Sequence, residues 1–133
     1  MDPIERIYKE SKTIAIVGAS DNPKRPSHDV ARYLQAQGFK IIPVNPAITE
    51  LFGEKSYADL LSIPEQVDVV DIFRNPEAVP EIVEQAIAKK VQVVWMQPGA
   101  ENMQAAERAM EAGLEVIMGV CMMREHRVLQ KKA

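Results

Sequence analysis

Four short segments hold the residues best suited to chemistry, and each follows a run of β-branched residues. The first reads Gly18-Ala19-Ser20-Asp21-Asn22-Pro23-Lys24-Arg25-Pro26-Ser27. A glycine at the end of a strand lets the chain turn sharply, and small residues behind it let backbone N–H groups approach an anion unobstructed. A helix that follows adds its own unsatisfied N–H groups and partial positive charge at the same spot. Lys24, Arg25 and the Ser27 hydroxyl are donors of the kinds that hold phosphate. Gly18, Ala19, Ser20, Lys24, Arg25 and Ser27 therefore have the makings of a phosphate-binding loop. The plainer alternative makes Gly18 a turn, Ser27 a helix cap and the two cations solvated charges.

The second segment is Val44-Asn45-Pro46, where proline fixes the exit from the strand and the Asn45 amide can bond an adenine or ribose edge; Asn-Pro also starts ordinary turns. In the third, Phe73 offers a face to an adenine and Arg74 a guanidinium to phosphate, unless they are simply a core and a surface residue. The fourth is Trp95-Met96-Gln97-Pro98-Gly99-Ala100. There Gly99 permits close approach of a ligand and Gln97 can hydrogen-bond it, while Trp95 suits a core. Of the dinucleotide fingerprint G-x-G-x-x-G only the first glycine is present, and the second strand ends without the acidic residue that holds a ribose. Both departures argue against NAD.

These segments need a scaffold that brings strand ends together. Strands are expected over Thr13 to Val17, Lys40 to Val44, Val67 to Phe73, Val91 to Met96 and Glu115 to Met118. Helical periodicity lies between them. Ile4, Ile7 and Tyr8 precede the first strand; Val30, Ala31 and Leu34 follow it, with Ser27 as cap and Gly38 as stop. A short helical piece is expected around Tyr57 to Leu61. A regular helix is expected from about Val79, carrying Ile82, Val83, Ala86 and Ile87 inward. The last expected helix turns Met103, Ala106, Ala109 and Met110 inward, capped by Asn102 and stopped by Gly113. Regular alternation of this kind implies an α/β fold: a doubly wound, mainly parallel five-stranded sheet with helices on both faces, and ligands beyond the carboxyl ends of its strands.

Composition narrows the function. The 133 residues suit one domain, and 47% hydrophobic residues suit a core without staples. A lone cysteine excludes a disulfide framework, and sixteen basic against nineteen acidic residues give a net charge of -3. No general basic field draws such a chain to nucleic acid or an anionic membrane, so any anion site is local. No apolar run reaches the length of a membrane span, and the expected location is the cytoplasm. No spacing suggests a metal site, and no pair of carboxylates is set up for acid and base work. A phospho-receiver would need an aspartate at the end of the third strand, whereas Asp71 falls inside it.

Taken in order, Gly18-Ala19-Ser20 with Pro23, Arg25 and Ser27, then Pro43-Val44-Asn45-Pro46, then Val69-Val70-Asp71-Ile72-Phe73-Arg74, then Trp95-Met96-Gln97 with Gly99, resemble the small stand-alone CoA-binding proteins. Their domain is similar to the CoA-binding domain of the succinyl-CoA synthetase alpha subunit, and the resemblance runs from about Ile4 to Leu129. It implies a Rossmann-like domain that binds coenzyme A or an acyl-CoA. By motif, Gly18, Ala19, Ser20, Arg25 and Ser27 meet phosphate, Asn45 and Pro46 flank the nucleotide, and Phe73, Arg74, Gln97 and Gly99 line the path of the pantetheine arm. The family pattern has a second basic residue after Arg74 and an Asp-Arg pair before the cysteine; here Asn75, Gly119 and Val120 stand in those places. The synthetases complete their chemistry with further domains and a phosphorylated histidine on a separate loop. This chain has neither: His28, beside the loop, could hydrogen-bond a ligand, though a lone histidine in a first helical turn suits a structural or solvated place, and His126 lies in a polar tail without an evident partner. Cys121 could form a mixed disulfide with coenzyme A, but its apolar neighbours favour a small buried thiol. The expectation is a binding module without its own catalysis, with a protein partner open. The alternatives are an NAD(P)-dependent or other nucleotide-using enzyme, and a regulatory protein that has lost its ligand.

Overall fold

The computed structural model describes residues 2–132. Helix α1 (Pro3–Glu10) starts where Asp2 Oδ1 accepts the Ile4 N–H at 2.8 Å, and it buries Ile7 and Tyr8. Strands β1 (Thr13–Val17) and β2 (Lys40–Val44) flank helix α2 (Pro26–Ala36). A small antiparallel hairpin, β3 (Glu50–Leu51) and β4 (Glu54–Lys55), follows. Then come β5 (Val69–Ile72), a 3₁₀ turn at Pro76–Ala78, α3 (Val79–Lys89), β6 (Val93–Met96), α4 (Met103–Glu111), β7 (Glu115–Met118) and α5 (Met122–Lys132). The main sheet has the order β2-β1-β5-β6-β7 and is parallel throughout.

Alternation along the strands divides the core in two. Ala15, Val70 and Val94 meet Val79, Val83, Ala86, Ala106 and Ala109 on one face, under α3 and α4. Ile14, Ile16, Val69 and Trp95 meet Ile7, Val30, Leu34 and Met122 on the other, under α1, α2 and α5. The winding reverses between β1 and β5, because the chain first steps outward to β2 and then returns to the other side of β1. That reversal opens a crevice at the carboxyl ends of the two central strands.

The two strands are pinned there by unusual closeness. The Phe73 N–H ties the end of β5 to Val17 O of β1 at 2.8 Å, while the Gly18 N–H ties the end of β1 to Val44 O of β2 at 3.0 Å. Gly18 has φ +89°, and a Cβ built on it would stand 2.3 Å from Phe73 O. No side chain can occupy that position without moving the end of β5.

Several expectations are corrected. Val67 and Val91 are buried but precede their ladders, because the pairing of β5 begins where Val69 meets Ile14 and Val93. No helix forms over Tyr57 to Leu61; Tyr57 makes an isolated parallel bridge to Val44, and Leu60 enters the core. The hairpin before it turns at Phe52 and Gly53, both with positive φ, a two-residue connection easily overlooked between strands of two residues. Ser27 does not cap α2: Arg25 occupies the cap position, Pro26 the first turn, and Ser27 is buried within the helix. On α4 the inward face is Ala105, Ala106 and Ala109, small residues that let the helix lie close, while Met103 and Met110 are 61% and 53% exposed. The expected polar tail is helix α5. His126 is buried on it, with Nδ1 2.7 Å from the Tyr33 hydroxyl and its ring edge-on to Tyr8, and burial lowers its pKa.

Replacing Gly18 with alanine combines a strained positive φ with a backbone clash, and should destabilise the protein by about 2–4 kcal/mol. The same change at Gly99, which has φ +97° but open space around it, should cost about 1 kcal/mol. Urea denaturation midpoints of the two variants provide the comparison, and equal losses would remove the close approach as the reason for glycine at position 18.

Candidate functional site

The crevice at the switch point is a cleft of about 740 Å³. Its walls come from the loop after each of four strands: Gly18, Ala19, Ser20, Arg25 and Ser27 after β1; Asn45 after β2; Phe73 and Arg74 after β5; Gln97 and Gly99 after β6. A second cleft of about 500 Å³ adjoins it, shares Gly18, Asn45 and Arg74, and runs under Leu60 towards Ile82 and Gln85 of α3. Pro46 lines this second cleft, whereas Lys24 lines neither. Ten of the twelve expected site residues thus converge on one surface, with Pro46 next door and Lys24 apart.

The β1 loop is shaped by its own polar side chains. Ser20 Oγ accepts the Asn22 N–H at 3.0 Å, Asn22 Oδ1 accepts the Lys24 N–H at 3.0 Å, and the Arg25 N–H returns to Asn22 O. These local bonds curl the loop, as serine and asparagine turns do. They leave the N–H groups of Ala19, Ser20 and Ser27, all on cleft-lining residues, without any acceptor among the described residues. The Ser27 hydroxyl makes no hydrogen bond either. Arg25 and Arg74 are exposed at the rim, and no ion pair among the described residues involves either of them or Lys24. Unused amides, a helix N-terminus and two unpaired guanidinium groups are together able to hold an anion.

Two polar side chains do more bracing than expected. Asn45 Nδ2 donates to Ala19 O at 2.7 Å and its Oδ1 accepts the Ala47 N–H at 2.8 Å, so the amide ties the β2 end to the loop. Gln97 is buried, and its Oε1 accepts the Met122 N–H at 3.0 Å, which fixes the start of α5 and leaves the amide nitrogen for the cleft. Gly99 donates its N–H to Glu101 Oε1 at 2.7 Å. The far wall also holds Pro98 and Ala100 of the fourth segment, to which the sequence assigned no role, and Cys121, for which it favoured a buried place. Cys121 is half-buried on this wall, not enclosed in the core as its neighbours had suggested.

The family model described as "CoA binding domain" matches residues 12–127. The chain belongs to this CoA-binding family. It is 40% identical over 125 residues to the protein YneT of Bacillus subtilis, spanning 94% of this chain and 93% of that one. It is 33% identical over 82 residues to an ADP-forming acetate–CoA ligase of Archaeoglobus fulgidus, covering 60% of this chain but only 12% of the ligase. Among solved structures, a protein of Pyrococcus horikoshii superposes with a TM-score of 0.93 at 44% identity, covering 96% of this chain and 89% of that one. A dinucleotide-forming acetyl-coenzyme A synthetase of Candidatus Korarchaeum cryptofilum gives 0.72 at 28% identity, with coverages of 85% and 27%. The fold is the Rossmann-like one of CoA-binding domains.

Within this CoA-binding fold one group stands apart. Asp71 is completely buried in β5, between Ile16 of β1 and Trp95 of β6, and neither carboxylate oxygen has a hydrogen-bond partner. Burial pushes its pKa well above the usual carboxylate range, and the charge of Cys121 pushes it the same way. Among the described residues no cluster of His, Cys, Asp and Glu could hold a metal, and no helix is long and apolar enough to cross a membrane.

Because the folded state keeps Asp71 protonated, its stability contribution is full below the unfolded pKa near 4 and is lost as pH rises towards the folded value. Asp71→Asn removes that titration. The stability of the variant relative to the parent should therefore increase as pH rises above about 4, by up to about 1.4 kcal/mol per pH unit. Urea denaturation across that range measures it, and parallel pH profiles would show that Asp71 has the same pKa folded and unfolded.

Proposed function

We propose that this protein binds coenzyme A, free or as an acyl-CoA, in the cleft at the carboxyl ends of its strands, through a phosphate-binding loop at Gly18–Ser27. The observation that carries this reading is the set of unclaimed donors: the amides of Ala19, Ser20 and Ser27, with Arg25 and Arg74 unpaired beside them. Donors left unsatisfied at a cleft wall are satisfied by water or by a ligand, and phosphate oxygens match them in number and charge. Coenzyme A has more phosphate than NAD, and the absence of an acid at the end of β2 removes the usual ribose contact of a nicotinamide nucleotide.

Bound coenzyme A would supply a thiol able to carry an acyl group. Arg25, Ser27 and the loop amides would hold its phosphates. Arg74, which lies across Gly18 and borders both clefts, would meet the nucleotide where the two join. The side chain of Asn45 keeps the loop in register for this by bracing Ala19 O. The ligase relatives carry much longer chains, of which this one matches about an eighth or less. The protein acts as a binding module, in a reducing compartment such as the cytoplasm, and any acyl transfer would rely on a partner.

Titration calorimetry of the ligand-free protein with coenzyme A, dephospho-coenzyme A and NADH should show saturable binding that prefers coenzyme A. Arg25→Ala should weaken that binding by about 1.5–3 kcal/mol, the worth of a charge-assisted hydrogen bond to phosphate. Preference for NADH, or no binding of any of the three, would overturn the reading; unchanged affinity of the variant would take Arg25 out of the site.

A further inference from the structure

We propose that Cys121 is a thiol–disulfide exchange site, at which the protein takes coenzyme A from a coenzyme A disulfide and holds it as a mixed disulfide. This rests on the reading of the cleft as a coenzyme A site. Cys121 is the only cysteine of the chain, it is half-buried, and it lies on the cleft wall opposite the β1 loop. Its carbonyl accepts the Glu125 N–H at 2.9 Å, so it stands at the cap position of α5.

Two arrangements point the chemistry there. The cleft is polar in one direction only. Its cations and unused amides gather at Gly18–Ser27 and Arg74, whereas the wall of Gln97, Pro98, Gly99, Ala100 and Cys121 carries no charged side chain. Coenzyme A has the same asymmetry, with phosphates at one end and a neutral arm ending in sulfur at the other. A ligand anchored by its phosphates lays the arm against the neutral wall.

The second arrangement is the buried acid. Asp71 and Trp95 are side-by-side partners of the sheet and face the same layer. The Trp95 indole N–H reaches Val120 O at 2.8 Å, the residue before Cys121. Asp71 is therefore set in the layer that the Val120–Cys121 peptide closes, completely buried, with both oxygens unpartnered. Among the described residues none bonds this carboxyl, and Cys121 and Tyr8 are the ionisable groups electrostatically coupled to it. A fold that keeps an orphaned, completely buried acid in the layer beneath the peptide carrying its one thiol has the features of a site where a proton is moved.

The exchange balances without a further oxidant. Cys121 Sγ attacks the coenzyme A sulfur of the disulfide; a bond forms between those two sulfurs and the original S–S bond breaks. The Cys121 sulfur is oxidised, the departing sulfur is reduced, and the proton given up by Cys121 ends on the departing thiol.

The test is the intact mass of the reduced protein incubated with coenzyme A disulfide or, at equal concentration, glutathione disulfide. Binding of the phosphates brings the sulfur to Cys121, so coenzyme A disulfide should add one coenzyme A unit at least about tenfold faster than glutathione disulfide modifies the same residue. Dithiothreitol should reverse the addition, and excess desulfo-coenzyme A should slow it. Cys121→Ser should gain no mass while circular dichroism and its urea midpoint show it folded as the parent is. Equal rates with both disulfides, or no adduct on protein that binds coenzyme A by calorimetry, overturns the proposal and leaves the cleft assignment standing. Absence of both adduct and binding overturns the cleft assignment as well.

Discussion

The close approach of Gly18 to the end of β5 is the constraint on which the rest depends. A backbone oxygen 2.3 Å from where a Cβ would stand means that β1 and β5 converge as they leave the sheet. Convergence brings the loop after β1 directly over Phe73 and Arg74, and it happens at the one place where the winding reverses. Elsewhere in the sheet, consecutive crossovers cover the strand ends in the same direction. Here they diverge, α2 to one face and α3 to the other, and the gap between them is the cleft.

What surrounds the gap shows a division of labour between side chains and backbone. Asn45, Gln97, Ser20 and Asn22 are polar residues of the kind that sequence reasoning assigns to ligands, yet most of their bonding capacity goes into loops and helix starts. The groups left over are largely backbone amides. An amide held by a rigid turn needs no reorganisation to meet an anion, whereas a long side chain must be ordered first. A chain of net charge -3 can in this way present donors for an anion without a basic surface around them.

The strand pattern was legible because parallel strands covered on both faces are nearly continuous apolar runs, and β1, β2 and β7 match their expected bounds. The site was legible for the same reason, since ligand residues in such a sheet sit directly after the strands. What escaped was set by packing. Tyr57 to Leu61 has helical spacing but is drawn out by the bridge to Val44 and the insertion of Leu60 into the core. On α4 a methionine face and an alanine face compete, and the closeness of α3 decides for alanine. Helix α5 is so polar that only its contacts, Met122 under the sheet and His126 against Tyr33, declare it a packed element.

The places where the chain departs from the pattern of its family can be weighed against the same geometry. Asn75 and Gly119 are both exposed, and Gly119 holds φ +84°. Val120 contributes its carbonyl to Trp95 and its side chain to the core cluster beneath α5. The backbone work at this corner, placing Cys121 at the start of α5, is therefore done without the charged side chains usual there. What the substitutions remove is charge from the rim and from the neutral wall. The loop amides, Arg25 and Arg74 are untouched, so the donors proposed to hold phosphate are kept while the opposite wall carries no charged side chain. If the cleft holds coenzyme A as proposed, this layout would separate its two tasks more sharply, anchoring by charge at one end and leaving a single thiol at the other.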